Sequence, residues 1–309
     1  MSVSLFIDGA AGTTGLEIRE RMAGRSDVTL IELDDARRKD STARAEALND
    51  SDFVILCLPD DAAREAVALI ANDRTRVIDA STAHRTADGW TYGFPELEPF
   101  QTAAITDAKR VSNPGCYPTG FLALIRPLVR AGLVPVDWAV CVNAVSGYSG
   151  GGKAMIADFE GVNPPPAAHA YALGLVHKHV PEMQKHSRLA HPPIFMPSVA
   201  NTYRGMIVEI GLPLHMFTRR PTLHVCEAVL REAYADSKVI RIASGADAVV
   251  QIEDDAGTDR LTLRVCGNAD TGQARLIATL DNLGKGAAGA AVQNFNIMAG
   301  LDPVAGLTL

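Results

Sequence analysis

Several features that mark large protein classes are scarce or missing in this sequence. Its 309 residues include only five cysteines, Cys57, Cys116, Cys141, Cys226 and Cys266. They form no CxxC pair and no regular spacing, so neither a disulfide framework nor a zinc ribbon is expected, and no metal. No uninterrupted apolar run reaches the length of a membrane-spanning helix, roughly 18 residues. The opening MSVSLFIDG lacks a basic stretch and a cleavage site, so it does not read as a secretory leader. An excess of basic charge is absent too. Lys plus Arg is 29 against 36 Asp plus Glu, a formal charge of −7, and nucleic-acid binders usually show the opposite sign. No internal repeat or low-complexity tract appears. The expectation is a protein of the reducing cytoplasm that binds neither membrane nor nucleic acid. With 47% apolar and 21% charged residues the chain is ordinary globular material, long enough for about two domains.

What is present begins as an alternation of short apolar runs and amphipathic stretches. Ser4–Asp8, Val28–Leu33, Phe53–Leu58 and Val77–Ala80 read as strands, with Ala103–Thr106 as a fifth. Thr14–Met22 and Ala62–Ala71 read as helices. The strands are continuously apolar, as when both faces of a parallel sheet are covered. After about residue 133 longer strands appear at Trp138–Ala144, Gly205–Leu212, Lys238–Ala243, Arg260–Cys266 and Gln273–Leu280, with a helix over Pro221–Tyr234. The expected fold is therefore α/β. A Rossmann-type, mostly parallel sheet domain spans 1–114, and an α+β catalytic and oligomerisation domain with a mixed or antiparallel sheet spans 115–283. The Ala-rich helical tail, within 284–309, is expected to pack back on the first domain.

Gly9, Gly12 and Gly15 (GAAGTTG) follow the first strand directly and open the first helix. Such a turn lets a pyrophosphate approach backbone N–H groups at a helix N-terminus, although the same glycines also serve to pack a helix on a strand. Near the end of the second strand Glu32, Asp34 and Asp35 would suit the ribose 2′-hydroxyl of NAD. Arg37, Arg38 and Lys39 follow at once and would suit the 2′-phosphate of NADP, which is the expected coenzyme. A solvated charged loop is the plain alternative.

Cys116 stands apart from the other cysteines. It lies in SNPGCYPTG (112–120), which runs into an apolar helix over Phe121–Val129, so its sulfur falls near a helix N-terminus that favours the thiolate. A thiolate nucleophile needs a basic partner, and His177-Lys178-His179 offers two. In an extended segment both imidazoles would face one side, and either remains a candidate.

These stretches, with DASTAHR (79–85), SGYSGGGK (146–153), HKHVPEM (177–183) and KGAAGAAVQNFN (285–296), give the chain its family resemblance. It resembles the short-class N-acetyl-gamma-glutamyl-phosphate reductases, relatives of the aspartate-semialdehyde dehydrogenases and, more distantly, of the glyceraldehyde-phosphate dehydrogenases. The resemblance implies that Cys116 is the nucleophile and that His177 or His179 is the acid–base. It implies a coenzyme loop of Gly9, Ala11, Gly12, Thr13, Thr14 and Gly15, and NADP as coenzyme. Arg37, Arg38, Pro59, Ser81 and Asn282 complete the expected coenzyme contacts. Arg85, Asn113, Lys153, Glu182 and Arg204 are the expected contacts of a small acyl-phosphate substrate, with Arg85 on the leaving phosphate. Lys153 stands where the long class has Arg, so a two-pronged anion contact there is not assured. A homodimer or homotetramer is implied as well. The same cysteine and coenzyme would serve an aspartate-semialdehyde dehydrogenase or an aminoadipyl-phosphate reductase.

Overall fold

The computed structural model describes residues 2–34, 36–243 and 249–309. Asp35, one of the candidate ribose acids, lies outside the described residues. The chain divides into two compact units, residues 1–114 with 287–307, and residues 115–286 with 308–309.

In the first unit β1 (Val3–Asp8), α1 (Thr13–Met22), β2 (Val28–Ile31), α2 (Ser41–Asp50), β3 (Phe53–Leu56), α3 (Asp60–Leu69) and β4 (Arg76–Asp79) alternate, followed by β5 (Thr91–Tyr92), α4 (Gln101–Asp107) and β6 (Arg110–Ser112). The six strands pair in the order β2-β1-β3-β4-β6-β5, every pair parallel. Phe6, Val54, Leu56 and Val77 pack under Ala47 and Leu48 of α2 and Ala63 and Ala66 of α3. Leu5, Ile7, Ile55 and Ile78 pack on the other face with Ile18 of α1. Covered faces explain why the strands read as continuous apolar runs.

The segment 103–106 is not a strand. It lies inside α4, where Gln101 and Ile105 are buried one turn apart. A four-residue apolar run fits a strand or one helix face equally, and here the helical spacing wins. Helix α2 went unread because its outer residues are mostly polar, although Asp40 accepts the Ala43 N–H at 2.7 Å as an N-cap.

The second unit holds α5 (Cys116–Arg130), β7 (Cys141–Gly147), α6 (Gly152–Phe159), β8 (Ala168–Ala170), α7 (Val180–Ser187), β9 (Ile194–Ala200), β10 (Met206–Pro213), α8 (Leu223–Ala233), β11 (Ile240–Ile242), β12 (Leu261–Asn268) and β13 (Gln273–Leu280). Its seven strands run β11-β12-β13-β10-β7-β9-β8, a mixed sheet with parallel pairs only at β11–β12 and β7–β9. Strand β7 begins later than its apolar run because Trp138 is spent on an edge-to-face contact with Phe217 at 5.0 Å. Helix α5 lies against the sheet so closely that a Cβ on Gly120 would meet Val208 at 2.9 Å. The Tyr234 hydroxyl donates to the Ala123 carbonyl at 2.8 Å and joins α8 to α5. A π-helical turn over Gly284–Ala288 leads into α9 (Gly289–Met298). Ala288, Ala291, Val292 and Phe295 complete the first unit's core beside Leu5 and Phe53.

Candidate active site

Cys116 is the first residue of α5, and Gly115 before it supplies no side-chain cap. No side chain of the capping residue competes for the first N–H groups of the helix. Glu182, in the first turn of α7, reaches back so that its Oε1 accepts the Gly115 N–H at 2.8 Å. On another side the turn before α9 presses on the cysteine. A Cβ on Gly286 would stand 2.9 Å from the Cys116 Cβ and 2.9 Å from the Asp281 carbonyl oxygen. Only glycine permits that approach.

The two histidines do not sit in an extended segment. The Val180 N–H donates to the His177 carbonyl at 2.9 Å, and His179 has helical angles as the residue capping α7. A turn rather than strand alternation brings the rings together, 4.8 Å between centroids. Both lie edge-on to Tyr117, at 6.2 Å for His177 and 5.9 Å for His179. The His179 N–H donates to His177 Nδ1 at 3.1 Å, so His177 carries its proton on Nε2. Burial, aided by the Lys178 charge, lowers the His177 pKa to about 4. His179 is buried.

Two tyrosines close the group. The Tyr171 hydroxyl donates to Tyr117 at 3.1 Å, and Tyr117 donates to the Ser198 carbonyl at 3.2 Å. Burial, with Cys116 nearby, pushes Tyr171 up to about 12 and Tyr117 well above its usual value, so both phenols stay neutral. Burial likewise raises Cys226 to about 11. Burial together with Asp79 and Asp8 raises Cys57 to about 12. Neither of those thiols has thiolate character near neutrality.

In the first unit the glycine turn is as tight as its sequence suggests. Gly9 has φ +91°, a Cβ there would collide with the Cys57 carbonyl, and a Cβ on Gly15 would collide with the Gly9 carbonyl. The Gly12 N–H donates to the Gly9 carbonyl at 2.9 Å, and Thr13 and Thr14 open α1. A cavity of about 820 Å³ lies beside it, lined by Gly9, Ala11, Gly12, Leu33 and Leu58 together with charged side chains. That size suits a small-molecule site, and the exposed backbone of a glycine turn at a helix start fits a dinucleotide's phosphates. Arg38 lines the cavity, whereas Arg37 pairs with Glu46 at 3.1 Å and is not part of the lining. Lys39, which the sequence offers beside Arg38, lines it too; sequence reading missed Asp8, Arg19 and Arg44, which also line it.

The other expected contacts are placed as follows. Pro59 is the residue capping α3. The Ser81 hydroxyl donates to Asp79 at 2.7 Å, and His84, stacked on Trp90, contacts the same carboxylate at 2.6 Å. Arg85 is buried, with Nε on the Asn113 carbonyl at 2.9 Å and Nη2 on the Ala80 carbonyl at 3.1 Å. The Asn113 amide donates to Ala287 at 2.9 Å and accepts from Asn294 at 3.0 Å. Asn113 is therefore built into the frame of the first unit and Glu182 into that of the second, rather than left open. Asn282, in the second unit, bridges the Gly205 N–H and the Ser149 hydroxyl. Arg204 pairs with buried Asp281 at 3.3 Å, and Lys153 is exposed on α6. No group of three or more metal-ligating side chains gathers among the described residues. No helix among them is long and apolar enough to cross a membrane.

Known proteins resemble this chain along its length. A family model described as semialdehyde dehydrogenase, dimerisation domain, matches residues 116–282, and one described as semialdehyde dehydrogenase, NAD binding domain, matches residues 30–105. A protein of Brucella ovis named N-acetyl-gamma-glutamyl-phosphate reductase is 50% identical over 309 residues, covering 97% of this chain and 100% of that one. Its namesake from Chelativorans sp. is 49% identical over 305 residues, covering 96% and 98%. Among solved structures, aspartate semialdehyde dehydrogenase from Francisella tularensis matches with TM-score 0.73 at 13% identity, over 96% of this chain and 100% of that one. The Candida albicans enzyme with NADP matches with TM-score 0.67 at 14% identity, over 97% and 99%. At that identity the structures speak for the fold.

Proposed function

This chain belongs to the N-acetyl-gamma-glutamyl-phosphate reductase family, and from that membership we propose that it reduces N-acetyl-L-glutamyl 5-phosphate to the 5-semialdehyde and phosphate, with NADPH as reductant, as a step of arginine biosynthesis. The observation that carries the reading is Cys116 at the first position of α5, with the preceding glycine held by Glu182. A helix start favours an anion by about 0.3–1 kcal/mol, which raises the thiolate fraction.

The Cys116 thiolate attacks the acyl carbon. The bond to phosphate oxygen breaks, and phosphate leaves with the electron pair while the acyl group stays on sulfur as a thioester. The coenzyme, when bound, supplies hydride to that carbonyl carbon. The carbon–sulfur bond then breaks, releasing the aldehyde and restoring the thiolate. Throughout, the N–H groups at the start of α5 face the developing negative oxygen. We assign to His179 the proton that the thiohemiacetal oxygen takes up after hydride addition and gives back as the carbon–sulfur bond breaks, because His177 already gives its Nδ1 lone pair to a backbone N–H and stays neutral down to a pH of about 4. Lys153 and Arg204 are the second unit's cations for the substrate's anionic groups, and Arg85 is the first unit's. The glycine turn Gly9–Gly15 holds the coenzyme's pyrophosphate.

We read the exposed face of the second sheet, where Ile194 pairs in register with Cys141 and Met196 with Asn143, as the surface for a second copy of the chain. A reactive thiol suits the reducing cytoplasm. The deciding experiment mixes the protein with the acyl phosphate in the absence of coenzyme and quenches it in acid. The acyl group is expected on Cys116 by peptide mass mapping, and a protein that carries none would sink the covalent route.

A further inference from the structure

Two cations lining the first unit's cavity keep hydrogen-bonding capacity that the protein does not use. Arg44 reaches from α2 to the end of β1, where its Nη2 donates to Asp8 Oδ2 at 2.7 Å and its Nε lies 3.3 Å from the same oxygen. Its side chain is only 16% exposed, yet its Nη1 makes no hydrogen bond or ion pair among the described residues. The Lys39 ammonium, on the same lining, makes none either. That guanidinium edge lies on the cavity lining, is not among the buried atoms without a partner, and so is open to a ligand that enters the cavity.

The acids of the lining point to the charge of that ligand. In an NAD site an acidic residue at the end of the second strand accepts the ribose 2′-hydroxyl. Here Glu32 is taken by Arg19 at 2.7 Å. Asp34 Oδ1 accepts the N–H groups of Ala36 at 3.0 Å and Arg37 at 2.8 Å. Asp8 is matched by Arg44. Each lining acid has a partner, and the lining carries four cations, Arg19, Arg38, Lys39 and Arg44, against three acids. That imbalance favours a dianion, and a planar guanidinium fixed on one side by a carboxylate is set to grip phosphate oxygens with the other.

We propose that Arg44 and Lys39 form the subsite for the 2′-phosphate monoester on the coenzyme's adenosine, with Asp8 as the positioning residue that holds the guanidinium. This rests on the NADP reading above. It sets aside Arg37, whose charge is spent on Glu46 outside the cavity lining.

The test is calorimetric titration of the full-length protein with NADPH and with NADH, comparing wild type, K39Q and the double variant D8N/R44Q, which leaves no buried charge unpaired. Wild type is expected to prefer NADPH. Each variant is expected to lose about 10–100-fold in NADPH affinity, the size of one or two charge-assisted contacts, and to change less than about threefold for NADH. Lys39 is exposed, so K39Q keeps the test open should the double variant fail to fold. Equal losses for both coenzymes, or preference lost in R37Q but kept in these variants, would overturn the assignment of Arg44 and Lys39. A wild type that binds the two coenzymes alike would overturn the NADP reading itself, a separate result.

Discussion

Glu182 and Gly115, 67 residues apart, are joined by one buried hydrogen bond of 2.8 Å between a carboxylate oxygen and a backbone N–H. The first turn of α7 thereby fixes the residue immediately before Cys116, the proposed nucleophile. Because Glu182 is only 1% exposed, neither partner can fall back on water. Replacing Glu182 with Gln keeps an acceptor at Oε1 and is expected to cost less than about tenfold in kcat. Replacing it with Ala leaves the N–H unsatisfied, which costs about 1–3 kcal/mol of stability. Ala is also expected to lower kcat by about a hundredfold, since a misplaced nucleophile costs that much. Urea unfolding and steady-state kinetics on the two variants separate the outcomes. Equal kcat in both would mean the bond does not position Cys116.

Thiol reactivity provides a second check. Cys57 and Cys226 are held protonated by burial, at about 12 and about 11. Iodoacetamide at pH 7.5 is therefore expected to leave both unmodified in the native protein and to reach Cys116 before them. Cys116→Ser is expected to reduce turnover by at least about a thousandfold with the fold intact. Mass mapping of early time points reads the first outcome, and modification of Cys226 before Cys116 would contradict the thiolate assignment.

The His177 environment carries a pH signature of its own. In the unfolded chain this imidazole takes a proton near its ordinary pKa of 6.5, but in the folded protein only near 4. Between those values the unfolded state binds more protons, so stability is fully present above about pH 6.5 and falls as the pH drops toward 4. His177→Asn removes this term and is expected to flatten that limb of the stability curve. Chemical denaturation at pH 4.5, 5.5 and 7 measures it. A variant with the same slope as wild type would show that the ring is not held neutral.

How much of this was legible in the sequence depended on the range of the interaction. The β1–Gly9 turn–α1 unit and the start of α5 at Cys116 are written in neighbouring residues: an apolar run, glycines where φ or crowding forbids a side chain, and a helix without a capping side chain. The segment over 101–107 was not legible, because four apolar residues fit a strand as well as one face of α4. The spacing of His177 and His179 shows that the two belong together but not the backbone that joins them, since only the Val180–His177 bond reveals the turn. Arg44 looks like any surface arginine of a polar helix. Its meaning depends on Asp8, 36 residues earlier, and on the parallel order that brings α2 to the end of β1. Gly286 is in the same position. Nothing near it in sequence shows that its α-carbon rests on Cys116.

That contact gives a further expectation. A methyl group at residue 286 would fall 2.9 Å from both the Cys116 Cβ and the Asp281 carbonyl oxygen, well inside normal packing distance. The carbonyl belongs to a turn closed by bonds from the Gly284 and Gly286 N–H groups at 3.1 and 3.0 Å, so it has little freedom to retreat. The cysteine, at the end of a helix, is the softer neighbour. Gly286→Ala is therefore expected to destabilise the protein by about 1–3 kcal/mol, the usual cost of overpacking. It should also lower kcat by about 10–100-fold through displacement of the sulfur. Coenzyme affinity, measured by titration without substrate, should change little. The diagnostic readout is the rate of Cys116 alkylation against pH. A displaced sulfur loses part of the helix-end field, so its apparent pKa should rise. An unchanged alkylation profile beside a lowered kcat would place the fault elsewhere than in the position of the thiolate.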